Sequence, residues 1–128
     1  MKALTDEQYF AAVADLTSKR AGTFGKCGAV VVDFNTRSIV SCGYNHPRIE
    51  EPSEIKHAEE HALENFKAPV TEDTALFVSL SPCMECAQRI VACGIKRVWH
   101  GDVHPDPKYR CSEALEWLKT RGVRVKEF

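Results

Sequence analysis

Two short segments bring together residue types that can hold a metal ion and act on a substrate. They are His57-Ala58-Glu59 and Pro82-Cys83-Met84-Glu85-Cys86. Together they offer one imidazole and two thiolates, with a carboxylate that need not bind the metal. A structural zinc site usually has four protein ligands, whereas a catalytic one keeps a position open for water. The pattern therefore predicts a catalytic zinc site with His57, Cys83 and Cys86 as ligands.

Glu59, two residues after His57, is the predicted general acid and base. Zinc lowers the pKa of a bound water toward about 7 and so makes hydroxide available. Attack on an amidine-like ring carbon also requires one proton on the ring nitrogen and another on the departing amine. A carboxylate beside the metal can carry both protons. The predicted reaction is the hydrolytic removal of ammonia from an aminated heterocycle.

A second pattern overlaps the first, because residues 57–61 also read H-x-x-E-H, the inverzincin protease signature. In that interpretation His57 and His61 bind zinc and Glu60 is the base. It leaves both cysteines unexplained, and the sequence offers no third ligand to complete it. We therefore expect His61 to be an ordinary helix residue, and Glu60 and Glu64 to lie on a solvated face.

Secondary structure has to bring the two segments together. His57 opens a predicted helix that continues to about Phe66, and Ser81-Pro82 opens another that ends at Gly94. Cysteines three residues apart at a helix start share one face, and the helix N-terminus favours thiolates. Between the two segments lie a short helix and one strand. This is enough chain to bring the second helix start beside the first in an α/β layer.

The rest of the chain alternates strands and helices, which predicts an α/β layered fold. A capping box at Thr5 and Gln8 starts a first helix that runs to about Arg20. Loops are expected at the glycine-rich residues 21–28 and at the proline-bearing residues 45–56 and 101–109. Strands are expected at 29–34, 38–44, 75–80, 97–100 and 123–128, and the last helix at 111–120.

Composition narrows the classes of function. The 128 residues, 44% hydrophobic and 27% charged, suit one domain spanning 1–128. A net charge of -1 favours a small-molecule substrate over nucleic acid. No apolar run reaches the roughly 20 residues of a membrane span, and no signal peptide is expected, so we expect no membrane partner and a cytoplasmic location. In a reducing compartment the other cysteines are expected to be buried or half-buried thiols: Cys27, Cys42, Cys93 and Cys111.

These residues resemble the cytidine deaminase superfamily and, within it, the deoxycytidylate deaminases. The resemblance rests on Gly43-Tyr44-Asn45, His57-Ala58-Glu59, the run from Val78 to Ala87, and Gly94-Ile95-Lys96-Arg97-Val98. It covers residues 29–98 best. It implies a three-layer α/β/α sandwich with a five-stranded mixed sheet, zinc on His57, Cys83 and Cys86, and Glu59 as the proton shuttle.

The resemblance also implies substrate contacts. Asn45 matches an asparagine that contacts the substrate sugar. Ala58 and Ser81 match positions whose backbone groups face the ring and the leaving amine. The candidates for holding a 5′-phosphate are the cations Arg48, Lys108 and Arg110.

Two stretches depart from the family pattern. Asn45 is followed by His46-Pro47-Arg48-Ile49, which lacks both glycines of the Gly-x-Pro-x-Gly run found in allosteric members. His100 and His104 stand where those enzymes usually have tyrosines near the substrate. Substrate identity and control by nucleoside triphosphates therefore stay open at this point.

The expected function is zinc-dependent deamination of a free pyrimidine nucleotide, deoxycytidylate, with release of ammonia. The alternative is the same chemistry on cytidine, deoxycytidine, cytosine, guanine or adenosine in tRNA. A further alternative is a catalytically idle homologue that binds zinc. The resemblance also implies a homo-oligomer.

Overall fold

The structure is a computed structural model that describes residues 2–22 and 26–128; residues 23–25 of the predicted glycine-rich loop lie outside this part. The helices are α1 (Asp6–Ser18), α2 (Ala58–Asn65), α3 (Met84–Cys93) and α4 (Cys111–Thr120). The strands are β1 (Gly28–Asp33), β2 (Ser38–Tyr44), β3 (His46–Pro47), β4 (Ile55–Lys56), β5 (Thr74–Leu80), β6 (Arg97–Asp102) and β7 (Arg124–Glu127). Short 3₁₀ turns occupy Lys19–Ala21 and Pro107–Tyr109.

Five strands form one mixed sheet in the order β2-β1-β5-β6-β7. Strand β1 is antiparallel to both β2 and β5, whereas β6 is parallel to both β5 and β7. This confirms the mixed five-stranded sheet predicted from the sequence. The predicted loop 45–56 has structure of its own, because β3 and β4 pair as a two-residue antiparallel ladder.

Helices cover both faces of the sheet because its central strands are apolar on both sides. In β1, Ala29 and Val31 belong to one hydrophobic core, and Val30 and Val32 belong to the other. Strand β5 divides its residues in the same way. Helix α1 packs on one face through Phe10, and α2, α3 and α4 pack on the opposite face. Full burial of each valine side chain stabilises the folded state by about 1.5–3 kcal/mol. Burial on both faces of the sheet therefore favours the three-layer α/β/α arrangement.

The helix boundaries follow local signals. The capping box is present as predicted: the Thr5 hydroxyl accepts the Gln8 N–H at 3.1 Å, and the Gln8 side chain accepts the Thr5 N–H at 3.0 Å. Helix α1 ends at Ser18 rather than Arg20 because the chain tightens there into a 3₁₀ turn. Strand β6 runs two residues beyond its predicted end, and the Asp102 carbonyl accepts the Ser81 N–H at 2.9 Å.

The strand pairing places the carboxyl ends of β2, β5, β6 and β7 and the start of β1 at one edge of the sheet. Strands β5 and β6 end there because they are parallel. Strand β1 begins there and β2 ends there because β1 is antiparallel to both of its neighbours. The Gly28 N–H donates to the Ser79 hydroxyl at 2.9 Å and ties β1 to β5 at this edge. Ligands of open α/β sheets bind beyond the carboxyl ends of the parallel strands, so this edge is where a site is expected.

Helix α2 lies directly against β2 at Gly43. A Cβ atom at this position would lie 2.7 Å from the Ala58 carbonyl oxygen and 2.8 Å from the His61 Cβ, and closer still to the Ala62 amide nitrogen. The Ser41 hydroxyl donates to the Ala62 carbonyl at 2.8 Å and holds the helix in place. The missing side chain at residue 43 therefore sets how closely the start of α2 approaches the sheet.

We expect Gly43→Ala to lower the free energy of unfolding by about 1–3 kcal/mol, because the added methyl group meets the backbone of α2. Denaturant-induced unfolding measures the loss. Cys42→Ala, which changes an exposed side chain on the same strand, is the control and is expected to stay within about 0.5 kcal/mol of the unmodified protein. Equal stability of the two variants would contradict the close packing of α2.

Candidate metal centre and active site

His57, Cys83 and Cys86 meet at the sheet edge where β5 ends. His57 is the N-cap of α2, and Cys83 is the N-cap of α3. The His57 Nδ1 atom lies 3.1 Å from the Cys86 sulfur and 3.5 Å from the Cys83 sulfur. All three donor atoms lie within 4.8 Å of one another. One imidazole nitrogen and two sulfurs at these separations fit a zinc ion.

Two helix N-termini point at this cluster, which favours negatively charged sulfur. The Cys86 N–H donates to the Cys83 sulfur at 3.4 Å. The pKa of Cys83 is lowered to about 4, first by the hydrogen bond from the Cys86 side chain and, against desolvation, by the bond with His57. The same contact with Cys83 raises the pKa of Cys86. The pair therefore holds a thiolate at Cys83.

Glu59 is buried beside the ligands, with only 4% of its surface exposed. Burial raises the pKa of its carboxyl to about 7, and the nearby Cys83 adds to the effect. A pKa close to neutral suits a group that accepts and returns protons. Glu59 also lines the same cavity as His57 and Cys83, so it faces the space where a substrate would lie.

The cavity has a volume of about 220 Å³. This volume suits one heterocyclic ring better than stacked or paired bases. The wall contains Asn45, Ala58 and Ser81, which the sequence predicts as substrate contacts. It also contains residues that the sequence did not mark as site residues: Cys27, Ile55, Leu80, Tyr109 and Cys111. Leu80, the last residue of β5, lies within the run from Val78 to Ala87 on which the family resemblance rests. The other four lie outside the motifs of that resemblance and reach the wall from the segment before β1, from β4, and from the stretch that runs from the end of β6 to the first residue of α4.

Two of the predicted contacts are fixed by hydrogen bonds to neighbouring segments. The Asn45 side-chain oxygen accepts the Cys27 N–H at 2.9 Å, and the Asn45 N–H donates to the Cys27 carbonyl at 3.3 Å. The Ser81 hydroxyl accepts the His104 N–H at 3.3 Å. Asn45 therefore joins the end of β2 to the start of β1, and Ser81 joins the end of β5 to the loop after β6.

Arg48 lies outside the cavity wall. Its guanidinium nitrogens lie 2.8 Å from a Glu60 carboxylate oxygen and 3.7 Å from a Glu54 carboxylate oxygen. The prediction that Glu60 lies on a solvated face is wrong, because this ion pair leaves its side chain only 12% exposed. Although desolvation opposes it, the hydrogen bond from Arg48 lowers the pKa of Glu60.

Lys108 and Arg110 border a separate outer groove, which also exposes His57 and Cys83. Both cations are exposed and lie near carboxylates. Lys108 is 3.8 Å from Asp106, and Arg110 is 2.6 Å from Glu113. The groove and the inner cavity share the ring of Tyr109, so these cations stand next to the cavity mouth.

Histidines other than His57 have different surroundings. Within residues 2–22 and 26–128, the only group of three close metal-type ligands is His57, Cys83 and Cys86, and it leaves out His61. The His61 ring packs against His46 at 4.5 Å between centroids, so the H-x-x-E-H interpretation has no matching geometry. His100 is buried in β6 and is not in the cavity wall, whereas His104 is part of the wall. The His104 ring packs edge-on against Tyr109, with centroids 4.7 Å apart.

None of the six cysteines is paired in a disulfide in the described part of the chain. Cys42 is exposed on the edge strand β2, so the prediction that it is at least half-buried is wrong. An edge strand has a neighbour on one side only, which leaves this side chain in solvent.

In the described part of the chain, no helix is both long enough and apolar enough to cross a membrane.

Comparisons with known proteins agree with this geometry. The family model for the "Cytidine and deoxycytidylate deaminase zinc-binding region" matches residues 4–102. A probable deoxycytidylate deaminase of Drosophila melanogaster is 30% identical over 94% of this chain and 70% of its own length. The deoxycytidylate deaminase of Mus musculus is 30% identical over 94% of this chain and 78% of its own. The crystal structure of dCMP deaminase from the cyanophage S-TIM5 in apo form superposes with a TM-score of 0.78 at 26% identity, covering 100% of both chains.

We expect Asn45→Ala to lower the free energy of unfolding by about 1–3 kcal/mol, because the part-buried Cys27 N–H loses its acceptor. Urea unfolding measures the effect. Asn35→Ala, on the exposed turn between β1 and β2, is the matched control and should change the free energy by less than about 0.5 kcal/mol. An Asn45→Ala protein as stable as the control would mean that this hydrogen bond contributes nothing to the fold.

Proposed function

Because the chain belongs to the cytidine and deoxycytidylate deaminase family, we propose that its substrate is free deoxycytidylate, which it converts to deoxyuridylate and ammonia. The chain is a zinc-dependent hydrolytic deaminase. The observation that carries the proposal is the convergence of three zinc-type donor atoms and the buried Glu59 at one small cavity. Both relatives described above bear the name deoxycytidylate deaminase. The net charge of -1 favours a free nucleotide over a polymer.

The proposed zinc ligands are His57 through Nδ1 and the sulfurs of Cys83 and Cys86. Three protein ligands leave one position open, as a catalytic zinc site requires. When bound, zinc supplies Lewis-acid chemistry that makes a water molecule nucleophilic near neutral pH. The N-termini of α2 and α3 favour the negative charge that the two sulfurs carry as ligands.

Glu59 is the proposed general acid and base. It takes a proton from the attacking water as the C4–O bond forms, and it gives this proton to ring nitrogen N3. It then takes the proton of the new hydroxyl and delivers it to the amine, so the C4–N bond breaks and ammonia leaves. A C4 carbonyl remains on the product. Both transfers need a carboxyl group with a pKa near neutral, which burial provides for Glu59.

Asn45, Ala58 and Ser81 are proposed to position the nucleoside part of the substrate. The Asn45 side chain lines the cavity and is oriented by its bond to Cys27, so it is proposed to contact the sugar. Ala58 and Ser81 flank the ligands at the starts of α2 and α3. Their backbone groups are proposed to face the ring and the leaving amine.

Lys108 and Arg110 are proposed to hold the 5′-phosphate. They border the groove that adjoins the cavity, where a phosphate extending from a bound nucleoside would lie. Their partner carboxylates are on the protein surface, and exposed ion pairs contribute little and can exchange partners readily. Arg48 is not assigned this role, because two carboxylates occupy its guanidinium outside the cavity.

We also propose that residues 1–128 act as one deaminase domain in a homo-oligomer and in a reducing compartment such as the cytoplasm. Zinc ligation by Cys83 and Cys86 requires both sulfurs to stay reduced, which a reducing compartment favours. Exposed apolar side chains on α1, such as Leu16 at 64% and Tyr9 at 47%, support association between copies. Light scattering of the purified protein measures the assembly, and a monomeric mass would contradict it.

Glu59→Gln is expected to bind zinc as the unmodified protein does, because Glu59 is not a ligand, yet to slow ammonia release from deoxycytidylate about 100- to 10,000-fold. Zinc content by atomic absorption and ammonia by a coupled assay provide the two measurements. Glu64→Gln, on the same helix with an exposed side chain, is the matched control and should keep full activity. Turnover in Glu59→Gln at the control rate would overturn the assigned role.

The substrate assignment predicts a ranking across a panel of aminated compounds. Deoxycytidylate should have the highest kcat/KM. The kcat/KM for deoxycytidine should be at least about ten-fold lower because the phosphate contacts are missing. The kcat/KM values for cytosine, guanine and tRNA adenosine should be lower still. Equal rates for deoxycytidylate and deoxycytidine would favour a nucleoside substrate. If the zinc-loaded protein releases ammonia from none of these compounds, the result would favour an idle zinc-binding homologue.

A further inference from the structure

The groove between α2 and α3 holds a chain of charged side chains that ends at a proposed zinc ligand. One guanidinium nitrogen of Arg89, Nη1, donates to the Cys86 sulfur at 3.7 Å. The other, Nη2, lies 3.8 Å from the Glu60 carboxylate oxygen Oε1. Glu60 is near the start of α2 and Arg89 is on α3, so this ion pair connects the two helices that carry the ligands.

Glu60 is also tied to the other ligand-bearing segment. Its Oε1 atom accepts the His57 backbone N–H at 3.4 Å and the Arg48 guanidinium at 2.8 Å. The Glu60 side chain is 12% exposed and that of Arg89 is 31% exposed, so solvent screens these interactions less than it does on an open surface. A single carboxylate oxygen therefore contacts the backbone of one proposed ligand and a cation that contacts another.

The deamination steps use neither Glu60 nor Arg89. Both lie in the groove between the helices and outside the cavity wall. Glu85 also pairs with Arg89, at 2.7 Å, but its side chain is 65% exposed and it belongs to the same helix. The Glu85 contact therefore does not join α2 to α3, whereas the Glu60 contact does.

We propose that Arg89, oriented by Glu60, is a positioning residue that retains zinc by fixing and charge-compensating the Cys86 sulfur. Cys86 has no exposed surface, so water cannot solvate negative charge on its sulfur. The N–H···S bond from Arg89 supplies a charged donor instead and restrains the position of the sulfur. This inference rests on the proposed zinc ligation by Cys86. Loss of a group that orients a metal ligand typically weakens metal affinity about 10- to 100-fold.

The experiment measures zinc affinity by equilibrating the zinc-loaded protein with a chromophoric chelator. Arg89→Met, which keeps most of the side-chain length without the charge, should weaken zinc affinity about ten-fold or more. Arg89→Lys restores a cation and should recover part of that loss. Arg121→Met, which removes an exposed arginine at the end of α4, is the control and should match the unmodified protein. If Arg89→Met does not fold, Arg89→Gln provides the same comparison.

A double variant tests the link to Glu60. If Glu60 acts through Arg89, then Glu60→Gln weakens zinc binding, and Glu60→Gln with Arg89→Met is no worse than Arg89→Met alone. Additive losses would contradict this link. In excess zinc, the free energy of unfolding should fall by no more than the lost zinc affinity accounts for, about 1.4 kcal/mol for a ten-fold loss. A merely structural ion pair would instead lower the free energy of unfolding without changing zinc affinity. A large thermal loss with unchanged zinc affinity would overturn the proposal.

Cys86→Ala separates this inference from the function on which it rests. If Cys86→Ala loses zinc while Arg89→Met binds it within about two-fold of the unmodified protein, the role of Arg89 is wrong and the ligand set stands. If Cys86→Ala keeps one zinc per chain, the ligand set itself is wrong. If both variants lose affinity and the Arg121→Met control does not, both proposals are supported.

Discussion

The packing of α2 against β2 at Gly43 is the contact on which the site depends. The carbonyl oxygen of Ala58 lies against Gly43. Ala58 is the residue between His57, which carries the imidazole, and Glu59, which carries the carboxyl group. A shift of the helix away from the sheet would move both groups relative to the two sulfurs, which are carried by α3. The geometry needed for metal binding therefore depends on backbone packing and not only on the ligand side chains. This explains why a residue without a side chain matters for a site made of side chains.

Electrostatics within the site balances negative charge on groups that water does not reach. Cys83 is held as a thiolate, whereas the contact with Cys83 and burial raise the pKa of Cys86, and burial raises the pKa of Glu59. Two helix N-termini, a divalent ion when it is bound, and the guanidinium of Arg89 all act in the opposite sense. The outer ion pairs of Glu60 with Arg48 and Arg89 extend this compensation toward the loop that contains Asn45. Charge and packing are thus coupled from the cavity to the surface groove.

The fold could be predicted to a large extent because its signals are local. Apolar runs identified the central strands, and the capping box at Thr5 placed the first helix. The two-residue ladder of β3 and β4 was missed because strands this short leave no periodic pattern. The half-buried position of Glu60 was also missed. Glutamate normally faces solvent, and its partners Arg48 and Arg89 are 12 and 29 residues away in sequence.

By itself the sequence predicted the chemistry, because the donor types and spacings of His57, Glu59, Cys83 and Cys86 suit a metal site with a proton carrier. Local spacing is sufficient for each half of the site, His57 with Glu59 and Cys83 with Cys86, because residues two or three positions apart have fixed relative directions at a helix start. Only the tertiary structure decided the shape of the cavity and the partners of the charges. Cys27 meets the segment from His104 to Cys111 in the cavity wall because β1 and β6 both pair with β5, and no short-range pattern encodes that pairing.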